Sequence, residues 1–239
     1  MAIKDPFIHH PDLRDLLIDP MASFFRDFRA EDMDKLMADN GMGPEWRLSE
    51  TEREASRHTT LTRRHGDDLW VFGYGSLCWD PGIIFDEVRR AYVPTHARRF
   101  ILVDTLGALG DARQPGLMAA LDPGPGCHGL VFRIARENIE SETYRLWSRE
   151  RLVPAYTEDF VEAETDLGKV TALTFVADHS AELIHSDITR EEQVKYLSTG
   201  SGFLGTSFDY AANLQASLAQ IGVTDPKLDS LLNEALAHT

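Results

Sequence analysis

From Trp70 to Val176 the chain breaks into short β-prone runs, and that succession restricts its possible folds more than any other feature. Six runs read as strands: Trp70 to Tyr74, Arg90 to Val93, Arg99 to Asp104, Gly116 to Leu121, Gly129 to Ile134 and Val170 to Val176. Gly and Pro punctuate nearly every gap, most densely in Asp122-Pro123-Gly124-Pro125-Gly126. Proline cannot donate to a strand ladder and glycine weakens one, so these gaps are turns. Six short strands at this spacing predict a closed or nearly closed sheet.

Helical patterns flank and interrupt the strands. Glu137 to Glu150 carries Ile139, Thr143, Leu146 and Trp147 on one stripe, and Pro154 bars a long continuation. In the C-terminal third, Thr189-Arg190-Glu191-Glu192 reads as a capping box, and Pro226 as a first-turn proline before Leu228, Leu231, Leu232 and Leu236. The first 68 residues are polar and dotted with His and Arg; Met21, Phe24, Phe25 and Phe28 recur at helical spacing, and Asn40-Gly41 is a plausible stop. The expected organisation is α+β, with a helical N-terminal extension (1–68) packed on a main domain (69–239).

With 239 residues, 43% of them hydrophobic, the chain can bury a substantial core. No apolar stretch approaches the roughly 20 residues of a membrane helix, and the N-terminus lacks the basic and apolar regions of a secretory leader. A soluble, cytoplasmic protein is expected. Cys78 and Cys127 stand far apart and in no metal-ligand spacing, so both are expected to be ordinary buried thiols, with no metal site. A net charge of −15 argues against nucleic acid, because phosphate binding needs clustered Lys and Arg. The densest pairs, Arg63-Arg64 and Arg89-Arg90, read as solvated faces.

Two features carry chemistry. Phe72-Gly73-Tyr74-Gly75-Ser76-Leu77-Cys78 lies where an apolar run breaks into a turn forced by Pro81-Gly82. Such a strand delivers backbone amides and one hydroxyl to a point, and glycines remove the Cβ atoms that would hold a ligand off. The second is Glu150. It follows Ile139 by 11 positions, and at about 100° per residue the two directions differ by about 20°. A carboxylate therefore sits on the inward stripe at the negative end of the helix, where burial and dipole both raise its pKa. A salt bridge to Arg149 or Arg151 is the competing reading of Glu150; Glu142, Glu158 and Glu162 read as solvated acids.

Resemblance to a known family adds to these readings. Val71-Phe72-Gly73-Tyr74-Gly75-Ser76-Leu77-Cys78-Trp79-Asp80-Pro81, Arg99-Phe100, Gln114-Pro115-Gly116-Leu117, Gly129-Leu130-Val131-Phe132-Arg133 and Leu146-Trp147-Ser148-Arg149-Glu150 closely resemble the ChaC family. Ala172 to Asp178, Gly202-Phe203-Leu204-Gly205-Thr206 and Asp209-Tyr210 follow in the family's order. The resemblance implies a γ-glutamylcyclotransferase-like mixed barrel with flanking helices, and cleavage of glutathione to 5-oxoproline and cysteinylglycine. It implies that Tyr74, Gly75, Ser76 and Leu77 hold the γ-glutamyl group, that Glu150 is the catalytic glutamate, and that Tyr156 and Tyr210 lie near the pocket. Two departures are visible. Many members carry methionine where Cys78 stands, and a glycine near Pro154 or Ala155.

In that reaction the substrate's own α-amine attacks its γ-carbonyl, so the enzyme needs a base and positioning groups but no nucleophile, metal or cofactor. Other classes stay open at this point: covalent catalysis by Ser76 or Cys78, a non-catalytic γ-glutamyl-binding protein, and a cyclotransferase for another γ-glutamyl amine. The first lacks a Gly-x-Ser-x-Gly elbow.

Overall fold

A computed structural model of the chain describes residues 5–39, 42–64 and 66–238. Strand β1 (Leu69–Gly73) is the hub. It pairs antiparallel with β5 (Cys127–Ile134) on one side and parallel with β7 (Gly168–Ala177) on the other. Two further strands, β2 (Glu87–Val93) and β6 (Tyr156–Thr165), complete the ring β1-β5-β2-β6-β7, which closes back on β1. A long hairpin of β3 (His96–Leu106) and β4 (Asp111–Pro123) joins the ring through a parallel pairing of Leu121 with Val176.

Successive β1 residues enter different clusters. Val71 packs with Phe132 and Leu173, whereas Phe72 packs with Val131 and Ala172. A strand buried on both faces needs an unbroken apolar run, which is why Leu69 to Phe72 shows no polar alternation. The expected mixed barrel with flanking helices and a helical N-terminal region is present.

Among the described residues, six α-helices surround the sheet: α1 (Glu31–Asp39), α2 (Glu50–Leu61), α3 (Ile139–Glu150), α4 (Arg190–Thr199), α5 (Ser207–Gln220) and α6 (Pro226–His238). The capping box at Thr189 forms, with Glu192 bonded to both the Thr189 backbone and hydroxyl. Leu228, Leu231 and Leu232 are buried as the pattern requires, but Leu236 is 61% exposed. The heptad-like stripe outlasts the surface it packs on. Among the described residues, no helix is long and apolar enough to cross a membrane.

Several expectations need correction. β6 is a strand absent from the sequence expectation, because Glu158, Asp159, Glu162 and Glu164 obscure its alternation; Val161 and Ala163 nevertheless point into the core. Met21 to Phe28 do not form an α-helix. Pro20 and the side-chain caps of Asp19 and Ser23 split the segment into two 3-10 turns, Pro20–Ala22 and Phe24–Arg26. The expected stop at Asn40-Gly41 lies outside the described residues. Glu142 is not a solvated acid: it is buried and ion-paired with Arg26. Glu158 is largely covered as well, bonded to Arg151 and to the Ser56 hydroxyl. Arg89 is half-buried over the Trp70 ring rather than solvated.

Polar bonds fasten the N-terminal region to the barrel. The Ile18 N–H donates to the Trp79 carbonyl (2.8 Å) and Leu48 to Leu152 (2.9 Å). Arg57, buried in α2, reaches Thr143 and Glu140 of α3.

Candidate active site

Four element ends converge on one cavity of about 400 Å³, a size within the roughly 300–1,000 Å³ usual for ligand sites. β1 ends at its rim and continues into a 3-10 turn, Ser76–Cys78. The C-terminus of α3 brings Arg149 and Glu150, the start of β6 brings Tyr156, and the first turn of α5 brings Tyr210. All seven site residues expected from the sequence, Tyr74, Gly75, Ser76, Leu77, Glu150, Tyr156 and Tyr210, therefore line the same space.

The turn bonds Cys78 N–H to Gly75 O and Trp79 N–H to Ser76 O, which leaves the Ser76 and Leu77 amides unused by it. Gly82, with φ of +63°, takes the left-handed conformation the Pro81-Gly82 turn requires. The glycines before it act differently from the sequence expectation. A Cβ on Gly73 would lie 2.7 Å from that of Leu77, and one on Gly75 would lie 3.0 Å from the Tyr210 hydroxyl. Their missing side chains let the turn fold on itself and let Tyr210 approach.

Glu150 is the last residue of α3, with its side chain only 15% exposed. Burial raises its pKa, while the Arg149 guanidinium, 3.2 Å from the carboxylate, partly opposes the rise. Thus the inward acid and the ion pair, offered by the sequence as competing readings, coexist. Arg149 also donates to the Ser76 hydroxyl (2.7 Å) and the Asp80 carbonyl (2.8 Å), and its guanidinium lies 3.8 Å from the Phe25 ring centroid. One arginine thereby ties α3, the turn and the N-terminal region together. Sequence reading missed this role: an Arg beside an acid on a helix looks like an ordinary ion pair until the turn is folded against it.

Three tyrosines complete the polar end. Tyr74, Tyr156 and Tyr210 are all held protonated by burial, with Glu150 adding to the effect on each. Tyr156 donates to the Ala119 carbonyl, and Tyr210 packs edge-on against Trp79 at 5.5 Å. A protonated phenol is a hydrogen-bond donor, so neutral donors share the cavity with the Glu150 carboxylate, and Asp80, Asp104 and Asp209 line it as well.

Cys78 is 1% exposed and burial pushes its thiol up to about 12, so it is not a nucleophile at neutral pH. Among the described residues lining the cavity there is no histidine to activate Ser76. One cluster away from the cavity, Glu54, His58 and Glu140, brings ligand-type atoms within 4.8 Å. Both of its carboxylates already bind Arg57.

Comparison with known proteins gives a consistent result. The family described as ChaC-like protein matches residues 69–238. The glutathione-specific γ-glutamylcyclotransferase of Escherichia coli K12 is 34% identical over 186 residues, covering 77% of this chain and 80% of that protein. γ-Glutamylcyclotransferase 2-1 of Arabidopsis thaliana is 27% identical over 177 residues, covering 70% and 81%. A crystal structure of a yeast γ-glutamyl cyclotransferase specific to glutathione superposes with a TM-score of 0.66 at 22% identity, covering 72% of this chain and 97% of that one. At that identity the likeness speaks for the fold.

Proposed function

The chain belongs to the ChaC family, and from that premise we infer that it is a glutathione-specific γ-glutamylcyclotransferase, a lyase releasing 5-oxoproline and cysteinylglycine. The observation that best supports a mechanism is a buried carboxylate, Glu150, sharing a cavity with the Tyr74 to Leu77 turn.

The substrate's α-ammonium, mostly protonated at neutral pH, must lose a proton before it can attack. Glu150 takes that proton, and its raised pKa brings it toward the range in which a carboxylate accepts protons effectively. The freed amine forms a C–N bond to the γ-carbonyl carbon and closes a five-membered lactam. The bond from that carbon to the cysteinyl nitrogen then breaks as Glu150 returns its proton to the departing nitrogen, and the second proton of the attacking nitrogen passes to the released amine, which leaves as an ammonium. Negative charge gathers on the γ-oxygen, for which the neutral donors are the Ser76 and Leu77 amides and the Tyr74 and Tyr210 hydroxyls. One such donor is worth about 2.7–4 kcal/mol. Arg149 fixes the turn through Ser76 and moderates Glu150, and Tyr74, Tyr156 and Tyr210 shape the γ-glutamyl pocket. Folding the flexible arm into attacking geometry contributes about 7–11 kcal/mol more.

The direct test is mass-spectrometric detection of 5-oxoproline from glutathione. The wild type should produce it, and Glu150→Gln should retain binding while turnover collapses. Full activity in that variant would move the base elsewhere.

A further inference from the structure

The cavity extends beyond what the chemistry of ring closure uses, and apart from Asp104, Asp209 and Asn213 the rest of its lining is largely apolar. Glu150, the tyrosines and Arg149 share the lining with two apolar groups, Phe24, Phe25 and Phe28 of the N-terminal region, which begin at Arg149, and Phe203 with Leu204. Phe24 is 55% exposed, Phe203 42% and Leu204 40%. Large apolar side chains held in water at a cavity rim mark a surface awaiting a ligand.

These banks are built, not loose. The rings of Phe24, Phe25 and Phe28 pack on one another with centroids 5.4, 5.6 and 6.3 Å apart. Phe25 is fixed by Arg149, so the apolar wall begins one side chain from the reacting carboxylate. The segment is anchored to α3 by the Arg26–Glu142 ion pair and by Arg145, which donates to the Arg26 carbonyl. In the second group, the Phe203 and Leu204 amides donate to the Gly107 and Ala108 carbonyls at 2.9 Å each.

A γ-glutamyl peptide laid in this space has its direction set by charge. Its ammonium and α-carboxylate need the polar end, so the departing half must lie along the phenylalanines. On that half the glycine carboxylate and the amide require water or donors, and the sulfur is the only branch that can carry apolar substance. Glutathione itself offers one methylene and a thiol there, which leaves most of the wall uncovered. Resting on the cyclotransferase reading above, we propose that the N-terminal region and the Phe203-Leu204 turn form a subsite for an apolar group on that sulfur, making thioether conjugates of glutathione a second substrate class. Attack and bond cleavage are unchanged; the product is 5-oxoproline with an S-substituted cysteinylglycine.

The test compares glutathione with S-hexylglutathione on the full chain, reading 5-oxoproline. Methylene burial predicts kcat/KM for the hexyl conjugate roughly tenfold or more above that for glutathione, carried by a lower KM. In the double variant Phe24→Ser, Phe203→Ser the ratio should fall toward one, and Phe24→Leu with Phe203→Leu should restore it. Cleavage of glutathione with no preference for the conjugate, or a preference the serine variant leaves intact, overturns the subsite. If neither compound yields 5-oxoproline, the cyclotransferase reading is what has failed. Calorimetry then decides the subsite alone: tighter binding of S-hexyl- than S-methylglutathione, lost in the serine variant, supports it, and equal binding refutes it. Sedimentation showing a dimer that the serine variant dissolves would assign the rim to a second copy instead.

Discussion

The barrel and the N-terminal region are held by different forces, though both border the same cavity. In the barrel, Val71, Leu130, Phe132 and Leu173 are fully buried and every strand is fixed by backbone pairing. The N-terminal region contributes Leu13 and Leu17 to that core, but its grip on α3 is largely polar: Arg26 on Glu142, Arg57 on Glu140 and Thr143, and the Ser56 hydroxyl and Glu50 accepting from Trp147 and Tyr144. Apolar burial is non-directional and tolerates small shifts, whereas a buried ion pair is satisfied in one geometry only. The difference teaches that the cap is positioned rather than merely adhered. It is positioned on the helix that ends in Glu150.

The largest expected effect lies at the polar end. Glu150→Gln should cut turnover by about 10²- to 10⁴-fold, the usual worth of a positioned base, with the circular dichroism spectrum unchanged. A comparable loss from substitutions confined to the N-terminal region would erase the contrast drawn here.

Next come substitutions that set the two forces against each other. Trp147→Ala, in the barrel core, should cost about 3–5 kcal/mol in denaturant unfolding. Arg26→Ala should cost about 3–5 kcal/mol too, because it strands the Glu142 carboxylate. Arg26→Met paired with Glu142→Leu, which removes both charges, should recover most of that loss while altering KM, since the cap is then unregistered. Equal KM in the double variant would show that its position is set by packing after all.

Arg149→Met sharpens the comparison at the junction. Arg149 holds the Glu150 pKa down against burial, so its removal should move the acid limb of kcat/KM to higher pH, as well as loosening Ser76. An unshifted limb would mean that the limb belongs to another group.

The smallest effect is on stability against pH. The folded-state pKa of Glu150 is raised, so its stabilising contribution is fully present below the unfolded pKa and is lost as pH rises through the folded value. Glu150→Gln removes that loss. Its Tm relative to wild type should therefore increase as pH is raised from the ordinary carboxylate range toward neutrality, and a constant difference would place the carboxyl in a solvated setting.

How much was legible follows from how local each signal is. The strand β1, the turn after it, the buried stripe of α3 and the capping box at Thr189 rest on neighbours in sequence, and all four form where expected. β6 escaped because its outward positions carry acids, and Glu142 was misplaced because its partner stands 116 residues away. The aromatic stripe at Met21 to Phe28 was visible, but its spacing spoke for a helix and its capping residues produced two short turns instead.

By itself, then, the order of residues determined every barrel strand but β6, the inward aim of Glu150 and the family chemistry, because periodicity and short motifs encode what a residue's near neighbours will bury. Only the tertiary structure decided that Arg149 joins Glu150 to the turn, and that three phenylalanines from the first segment wall the cavity. Those depend on which distant surfaces meet, and the desolvation and geometry that give such contacts their energy do not exist until the chain has closed.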